Sequence, residues 1–188
     1  MATVRAGSRA ALLVVDVQVG VVRDAWDVVR IVQNVARVVE RARAHRVPVV
    51  WVQHAGEELP HGSPEWQWVP ELVPAQGELL LEKHYNSAFE DTPLEQELAK
   101  FGASHVVLAG ASTGWCIRAT AYGALDRGYD LTLVKDAHTT DTIELRDGTK
   151  LEAEDVIRDL NVVMAFVTYP GRVSRALRAD EIDFGAIG

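Results

Sequence analysis

The segment Ala10–Asp16, which reads AALLVVD, is the clearest indication of the fold in this sequence. An almost wholly apolar run of this length is typical of a strand that is buried on both faces of a parallel sheet. The run ends at a carboxylate, Asp16. We interpret five later segments as strands of the same sheet, at residues 49–52, 78–82, 106–109, 131–134 and 162–168.

Helical patterns separate these predicted strands. Residues 27–46 place apolar side chains three and four positions apart, with charged residues between them, which predicts an amphipathic helix. The segment TPLE at residues 92–95 is a helix start signal, and Gly102 predicts where that helix ends. Two more helices are predicted at residues 115–127 and 154–160.

The alternation of strands and helices predicts the fold class. We expect one α/β domain over residues 1–188, a three-layer α/β/α arrangement in which a single, mostly parallel six-stranded sheet has helices on both faces, as in Rossmann-like folds. A loop of roughly two dozen residues follows the second strand, and loops of this length are usually functional or carry a short helix. The Asp147-Gly148 pair predicts a peripheral hairpin between residues 143 and 151.

Composition narrows the class of function. The net charge is −8 and the isoelectric point is about 5.2, which argues against nucleic acid as a partner because phosphate binding needs a basic surface. No apolar run approaches the roughly 20 residues that cross a bilayer, so no membrane partner is expected. The single cysteine excludes an internal disulfide, and the N-terminus lacks the apolar core of a signal peptide. We therefore expect a cytoplasmic protein that acts on a small molecule.

Three polar residues follow predicted strands at the sheet edge where ligands bind in α/β folds. Asp16 ends the first strand, Lys83 ends the third, and Cys116 begins the helix after the fourth. A helix N-terminus and a neighbouring ammonium favour a thiolate, and a carboxylate beside the thiol can act as a general base. Acyl transfer is the implied reaction. Each residue also has an ordinary interpretation, since a lone cysteine often fills a core and a strand-end Asp or Lys is often solvated.

At these residues the chain resembles the isochorismatase-like cysteine hydrolases, a family that includes nicotinamidases, N-carbamoyl amide hydrolases and isochorismatases. The resemblance covers nearly the whole chain and follows the order of the family's motifs. The matching segments are Leu12–Gln18, Trp51–His54, Glu82-Lys83, Ser87–Phe89 with Thr92–Leu94, Gly110–Thr120 and Asp136-Ala137.

The resemblance implies roles for particular residues. Asp16, Lys83 and Cys116 match the family's catalytic triad. A cis peptide bond is implied between Ala111 and Ser112, with the amides of Ser112 and Cys116 forming an oxyanion hole. Family members usually assemble as oligomers, so a homodimer or homotetramer is implied.

Departures from the family bear on the substrate. Nicotinamidases carry an Asp-x-His pattern with further histidine ligands, whereas this chain has Gln53-His54 and then His61. His54, Glu58 and His61 still have the donor types of a cation site, but we expect no metal and no other cofactor, and nicotinamide is disfavoured. The presence of Cys116 favours an amide, carbamoyl or imide carbon as the target over the vinyl ether of isochorismatases.

The expected substrate pocket contains Gln18, His54, Phe89 and Trp115. His138 follows the fifth strand and faces either the same edge or a loop. Trp66 and Trp68 are interpreted as exposed aromatics that could lie at a subunit interface. Two alternatives to amide hydrolysis stay open: a vinyl ether hydrolase of the isochorismatase type, and a non-catalytic or redox-sensing member of the family.

Overall fold

The computed structural model describes residues 2–187, so the first and last residues of the predicted domain lie outside the described range. The strands of the main sheet are β1 (Arg9–Val15), β2 (Val49–His54), β3 (Leu79–Lys83), β4 (Ala103–Ala111), β5 (Asp130–Thr139) and β8 (Ser174–Leu177). The hairpin strands are β6 (Ile143–Glu144) and β7 (Lys150–Leu151). The helices are α1 (Val19–Val22), α2 (Val28–Ala44), α3 (Leu94–Lys100), α4 (Arg118–Asp126), α5 (Ala153–Phe166) and α6 (Phe184–Ile187), and a π-helical turn (Thr113–Ile117) precedes α4.

The main sheet has the strand order β3-β2-β1-β4-β5-β8, and every neighbouring pair in it is parallel. The chain builds outward from β1 in one direction through β2 and β3, and then in the other direction from β4. The order therefore reverses between β1 and β4, and a crevice opens at the carboxyl ends of such a pair. The predicted α/β class with a six-stranded parallel sheet is confirmed.

Alternate residues of the central strand face two apolar layers. Leu12 and Val14 belong to the layer that holds the apolar face of α2 and the short helix α6. Leu13 and Val15 belong to the layer formed by α3, α4 and α5. Both layers are fully buried along β1, which explains why its sequence lacks polar alternation. Helices cover both faces of the sheet, as the sequence predicts.

The predicted sixth strand at residues 162–168 is wrong. Most of this segment continues α5, and the sixth strand of the sheet is Ser174–Leu177. The apolar residues Val156, Leu160 and Met164 recur every four positions and bury one helix face, whereas Phe166 is 79% exposed. A strand would have buried alternate residues instead.

Other boundaries move by a few residues. The strand predicted at residues 106–109 spans Ala103–Ala111 as β4, and the helix predicted from residue 115 begins at Arg118, after the π-helical turn. The predicted hairpin around residues 147–148 is present as β6 and β7. Within residues 2–187, no helix combines the length and the apolar character that a bilayer span requires.

Candidate active site

Three side chains meet at the carboxyl ends of β1, β3 and β4. The Lys83 Nζ atom lies 2.7 Å from Asp16 Oδ2 and 3.2 Å from Cys116 Sγ, to which it donates a hydrogen bond. Asp16 and Lys83 are buried, and Cys116 is partly exposed. The Asp16–Lys83 contact is an ion pair between two buried side chains. The structure thus brings the three sequence-predicted residues into one cluster with the ammonium between the carboxylate and the thiol.

The backbone explains how these side chains come so close. The register pairs Val15 with Gly110, so Asp16 directly follows the point where β1 and β4 touch. A Cβ atom at position 110 would overlap the Val15 carbonyl oxygen, so this close approach requires glycine. Asp16 itself has a φ of 52°, a left-handed conformation that aspartate tolerates better than most residues. Gly110 therefore sets the distance between the carboxylate and the turn that carries Cys116.

The protonation state of the cluster differs from the expectation. Burial raises the pKa of the Cys116 thiol to about 12, and the charge of Asp16 adds to this, while Lys83 opposes it. Burial also raises the pKa of Asp16, against the lowering effect of the Lys83 charge. Burial and the Asp16 charge together raise the pKa of the thiol by more than the Lys83 charge lowers it, so these surroundings do not favour the thiolate. The resting thiol keeps its proton and has a carboxylate beside it.

The turn between β4 and α4 carries the groups that face the thiol. The peptide bond between Ala111 and Ser112 is cis. The Ser112 carbonyl oxygen accepts hydrogen bonds from the amides of Trp115 and Ile117, which holds the π-helical turn against the end of the strand. Cys116 is the fourth residue of this turn. Ser112 and Cys116 are thus held on one short segment beside Asp16 and Lys83.

A cavity of about 560 Å³ opens next to this segment. Its lining includes His54, Ser112, Glu57, Glu58, Leu59 and Asp141. The carboxylates come from two places, the loop after β2 and the segment after β5. Among the described residues that line the cavity there is no lysine or arginine, so its electrostatic character is acidic.

Two of the four predicted pocket residues, His54 and Gln18, lie at this end of the sheet, but only His54 lines the cavity. His54 lines the cavity, its Nδ1 lies 3.4 Å from Lys83 Nζ, and burial followed by the Lys83 charge lowers its pKa. Gln18 is fully buried and is occupied by backbone groups. Its Nε2 donates to the carbonyl oxygens of His54 and Trp66, and its Oε1 accepts from the His54 amide. Gln18 therefore clamps the loop after β2 instead of offering free polar atoms to the cavity.

The other two pocket residues lie elsewhere. Phe89 is buried against Tyr129, with ring centroids 5.8 Å apart, and Arg127 stacks on it, so it belongs to the core. Trp115 is 55% exposed and lines a different cavity of about 430 Å³, together with Leu151. Trp115 directly precedes Cys116 in the sequence, but its side chain does not line the cavity beside Ser112.

The aromatic and cation-site candidates of the long loop have other partners. His61 contacts Glu82 and packs on Trp66, and Trp68 packs edge-on against the buried Trp51. Trp66 and Trp68 are half-buried, so the interpretation of both as exposed is wrong. Across residues 2–187, no group of three or more His, Cys, Asp or Glu side chains is placed to hold a metal ion.

One polar network at this edge was missed in the sequence. His138 is buried in β5, where its Nδ1 lies 2.9 Å from Thr113 Oγ1 and its Nε2 lies 3.0 Å from Asn161 Oδ1. The sequence left His138 between the sheet edge and a loop. Asn161 could not be placed because the segment after it was interpreted as a strand. A helical interpretation of residues 153–166 would have brought Asn161 to the same end of β5.

The comparisons with known proteins agree with this architecture. A streptothricin hydrolase from Streptomyces noursei is 35% identical over 146 residues, which are 73% of this chain and 57% of that protein. The chain therefore spans little more than half the length of this relative. A crystal structure of an isochorismatase from Pseudomonas putida superposes with a TM-score of 0.82 at 26% identity, covering 94% of this chain and 91% of that one.

An amidase is also among the similar solved structures. The N-carbamoylsarcosine amidase from Thermoplasma acidophilum superposes with a TM-score of 0.74 at 26% identity, covering 93% of this chain and 99% of that one. The isochorismatase domain family matches residues 10–157, which include every residue of the Asp16, Lys83 and Cys116 cluster. The resemblance noted in the sequence is confirmed, and the chain belongs to the isochorismatase family of hydrolases.

Proposed function

We propose that this chain is a cysteine amidohydrolase that cleaves a small amide, carbamoyl or imide C–N bond through an acyl-thioenzyme on Cys116. One observation carries the proposal: a buried ammonium, Lys83, lies 2.7 Å from the Asp16 carboxylate and 3.2 Å from the Cys116 sulfur. A nucleophile, a base and a cation at such distances are the parts that covalent acyl transfer needs. The similarity to an amidase supports the choice of a C–N bond.

The first half of the reaction forms the acyl-enzyme. Because the resting thiol is protonated, Asp16 takes the proton from Sγ as the sulfur attacks the carbonyl carbon. Burial raises the pKa of Asp16, which makes it a better base than an exposed carboxylate, and the charge of Lys83 favours its ionised form. The carbonyl oxygen becomes an oxyanion that the amides of Ser112 and Cys116 stabilise. Asp16 then returns the proton to the leaving nitrogen, the C–N bond breaks, and ammonia or an amine departs.

The second half regenerates the thiol. A water molecule enters the place left by the amine, and Asp16 removes one of its protons as the oxygen attacks the thioester carbon. The C–S bond breaks, the carboxylic or carbamic acid leaves, and the proton returns from Asp16 to Cys116. Asp16 acts as base and acid in each half, so one carboxylate serves both steps.

The cavity beside Ser112 indicates which amides to test first. Its volume of about 560 Å³ suits a small molecule, and its lining contains Glu57, Glu58 and Asp141. Anionic amides would meet like charges there, so neutral and positively charged amides are the favoured substrates. The experiment measures release of ammonia or amine from a panel of such amides, carbamoyl compounds and imides.

The decisive variants are Cys116→Ala and Cys116→Ser, with Ser104→Ala as a matched control. Ser104 is a small residue like Cys116, and it is buried at the amino end of β4, away from the cluster. We expect both Cys116 variants to lose at least about 10³-fold in kcat, and the control to keep wild-type turnover.

Two outcomes would contradict the proposal. Turnover that persists in Cys116→Ala, above all hydrolysis of a vinyl ether, would favour the isochorismatase type of reaction. Reversible oxidation of Cys116 in a wild-type protein that releases nothing from the panel would favour a redox sensor.

A further inference from the structure

His138 is a buried histidine that the proposed chemistry does not use. It lies in β5 opposite Gly110, the glycine that brings β1 and β4 together. The pairing of β4 with β5 is irregular just before this point. Leu108 pairs with Leu133, and two residues later Gly110 pairs with His138, so β5 inserts three extra residues there. This bulge lies where the His138 ring contacts the π-helical turn that begins at Thr113.

The two ring nitrogens of His138 have fixed and different roles. Asn161 donates from Nδ2 to the Lys135 carbonyl oxygen at 2.9 Å, which leaves its Oδ1 to face His138 as an acceptor. His138 Nε2 must therefore carry the proton and donate it to Asn161. Nδ1 is left as an acceptor, and it accepts a hydrogen bond from the Thr113 hydroxyl. Burial lowers the pKa of His138 to about 4, so the ring stays neutral and this arrangement holds at neutral pH.

Thr113, which contacts His138 Nδ1, lies at the start of the turn that contains Cys116. Thr113 follows Ser112, the residue whose peptide bond to Ala111 is cis, and it is the first residue of the turn whose fourth residue is Cys116. Thr113 is fully buried, and in this structure its hydroxyl bonds to the histidine ring. The hydrogen bond therefore connects the start of the turn to β5 and, through Asn161, to α5.

We propose that His138 is a positioning residue that acts through Thr113 to hold the turn carrying Ser112 and Cys116. This inference rests on the proposed function, because its kinetic effect assumes that those two residues supply the oxyanion amides and the nucleophile. Its neutral ring works as a fixed two-point support and does not exchange protons with the substrate. Loss of the support displaces the reacting groups without removing any of them, and displacements of about 1 Å can cost about 100-fold in rate.

The chain contains a matched control for this histidine. His105 is also buried in the sheet, burial lowers its pKa to about 4, and its Nε2 lies 2.8 Å from a threonine hydroxyl, Thr132 Oγ1. His105 is near the amino end of β4, whereas Cys116 follows the carboxyl end of this strand. Replacing either histidine removes a buried ring–hydroxyl bond, so a general loss of stability affects both.

The experiment compares His138→Phe and Thr113→Val with His105→Phe and Thr132→Val. Two readouts are used: kcat and KM on an amide that wild type hydrolyses, and the rate of Cys116 alkylation by iodoacetamide as a function of pH. Cys116 is the single cysteine of the chain, so alkylation reports on it alone. We expect the first pair to lower kcat by about 10- to 100-fold with KM little changed, and to shift the pH profile of alkylation. The second pair should do neither.

Conservative and double variants separate positioning from folding. Thr113→Ser keeps the hydroxyl and should retain most of kcat. Because His138→Phe and Thr113→Val remove the same hydrogen bond, the double variant should lose no more than the worse single variant. Equal behaviour of the two pairs in kcat and in alkylation would overturn the inference while leaving the proposed function intact. If Cys116→Ala keeps its turnover, the proposed function fails, and the alkylation profiles alone decide whether His138 positions Cys116.

Discussion

A buried histidine contacts a threonine hydroxyl at each end of the sheet, but the two threonines lie in different backbone surroundings. At the carboxyl end, His138 bonds to Thr113, which lies on an irregular turn. Near the amino end, His105 bonds to Thr132, which lies inside a strand whose ladder already fixes it. The local chemistry is similar, since both rings are buried and neutral. What differs is the backbone that the hydroxyl belongs to, so the value of a buried hydrogen bond depends on what else holds its partner.

A buried ion pair is a second feature of the carboxyl end. The carboxyl end contains the buried Asp16–Lys83 pair, in which desolvation opposes the attraction between the charges. Stability alone gives little reason to keep such a pair, because apolar residues of similar volume often stabilise a core equally well. The comparison therefore predicts that substitutions at the carboxyl end separate activity from stability.

The largest expected effect comes from breaking that pair. Lys83→Met leaves Asp16 buried without its cation, and we expect a loss of about 3 to 5 kcal/mol of unfolding free energy together with at least about 10³-fold in kcat. The double variant Asp16→Asn with Lys83→Met removes both charges and should regain most of the stability but none of the activity. Urea unfolding and amide turnover measure the two quantities. Activity in the double variant would show that the pair is structural.

A smaller effect is expected from glycine substitutions at the two ends. Gly110→Ala forces a Cβ atom against the Val15 carbonyl and should cost about 3 kcal/mol or more. Gly102 directly precedes β4, and a Cβ atom there would make only an ordinary van der Waals contact with Arg9. Gly102→Ala should therefore cost only the strain of its φ of 67°, about 1 to 2 kcal/mol. Thermal and urea unfolding of both variants test this order. A reversed order would mean that β1 and β4 can separate at the carboxyl end of the sheet without loss of stability.

The smallest effect is one in which the two ends should agree. Burial lowers the pKa of both His138 and His105 to about 4 from an ordinary value of 6.5. Between these values the unfolded chain binds more protons than the folded chain, so stability falls as the pH decreases from about 6.5 to about 4. Each histidine should contribute a slope of about 1 kcal/mol per pH unit. Urea unfolding at several pH values should show a shallower slope for His138→Gln and for His105→Gln, and an unchanged slope in either variant would contradict the assignment.

The parts of the fold that the sequence predicted are those where burial alone dictates the residue types. β1 is covered on both faces, so its sequence is uniformly apolar and marks the centre of the sheet. The edge strand β8 is paired on one side and half-exposed, so Ser174–Leu177 carries no comparable signal. The apolar residues that end α5 were assigned to a strand for this reason.

In the candidate site too, some residues could be placed from the sequence and others could not. Asp16, Lys83 and Cys116 could be placed because they end or follow predicted strands, and parallel strands bring their carboxyl ends together. Phe89 could not be placed, because whether an aromatic ring faces a cavity or the core depends on packing against Tyr129. The protonation of Cys116 also depends on burial and on the distance to Asp16, neither of which a sequence pattern records.

The clamp made by Gln18 has a consequence for how this protein can change over evolutionary time. Its three hydrogen bonds fix the end of β2 and the loop at Trp66, while residues 56–58 and 60–62 between them stay exposed. Substitutions in that outer stretch can reshape the cavity through Glu57 and Glu58 without moving the strand end that carries His54. The shape and charge of the cavity can therefore change there while the buried cluster of Asp16 and Lys83 is inherited unchanged.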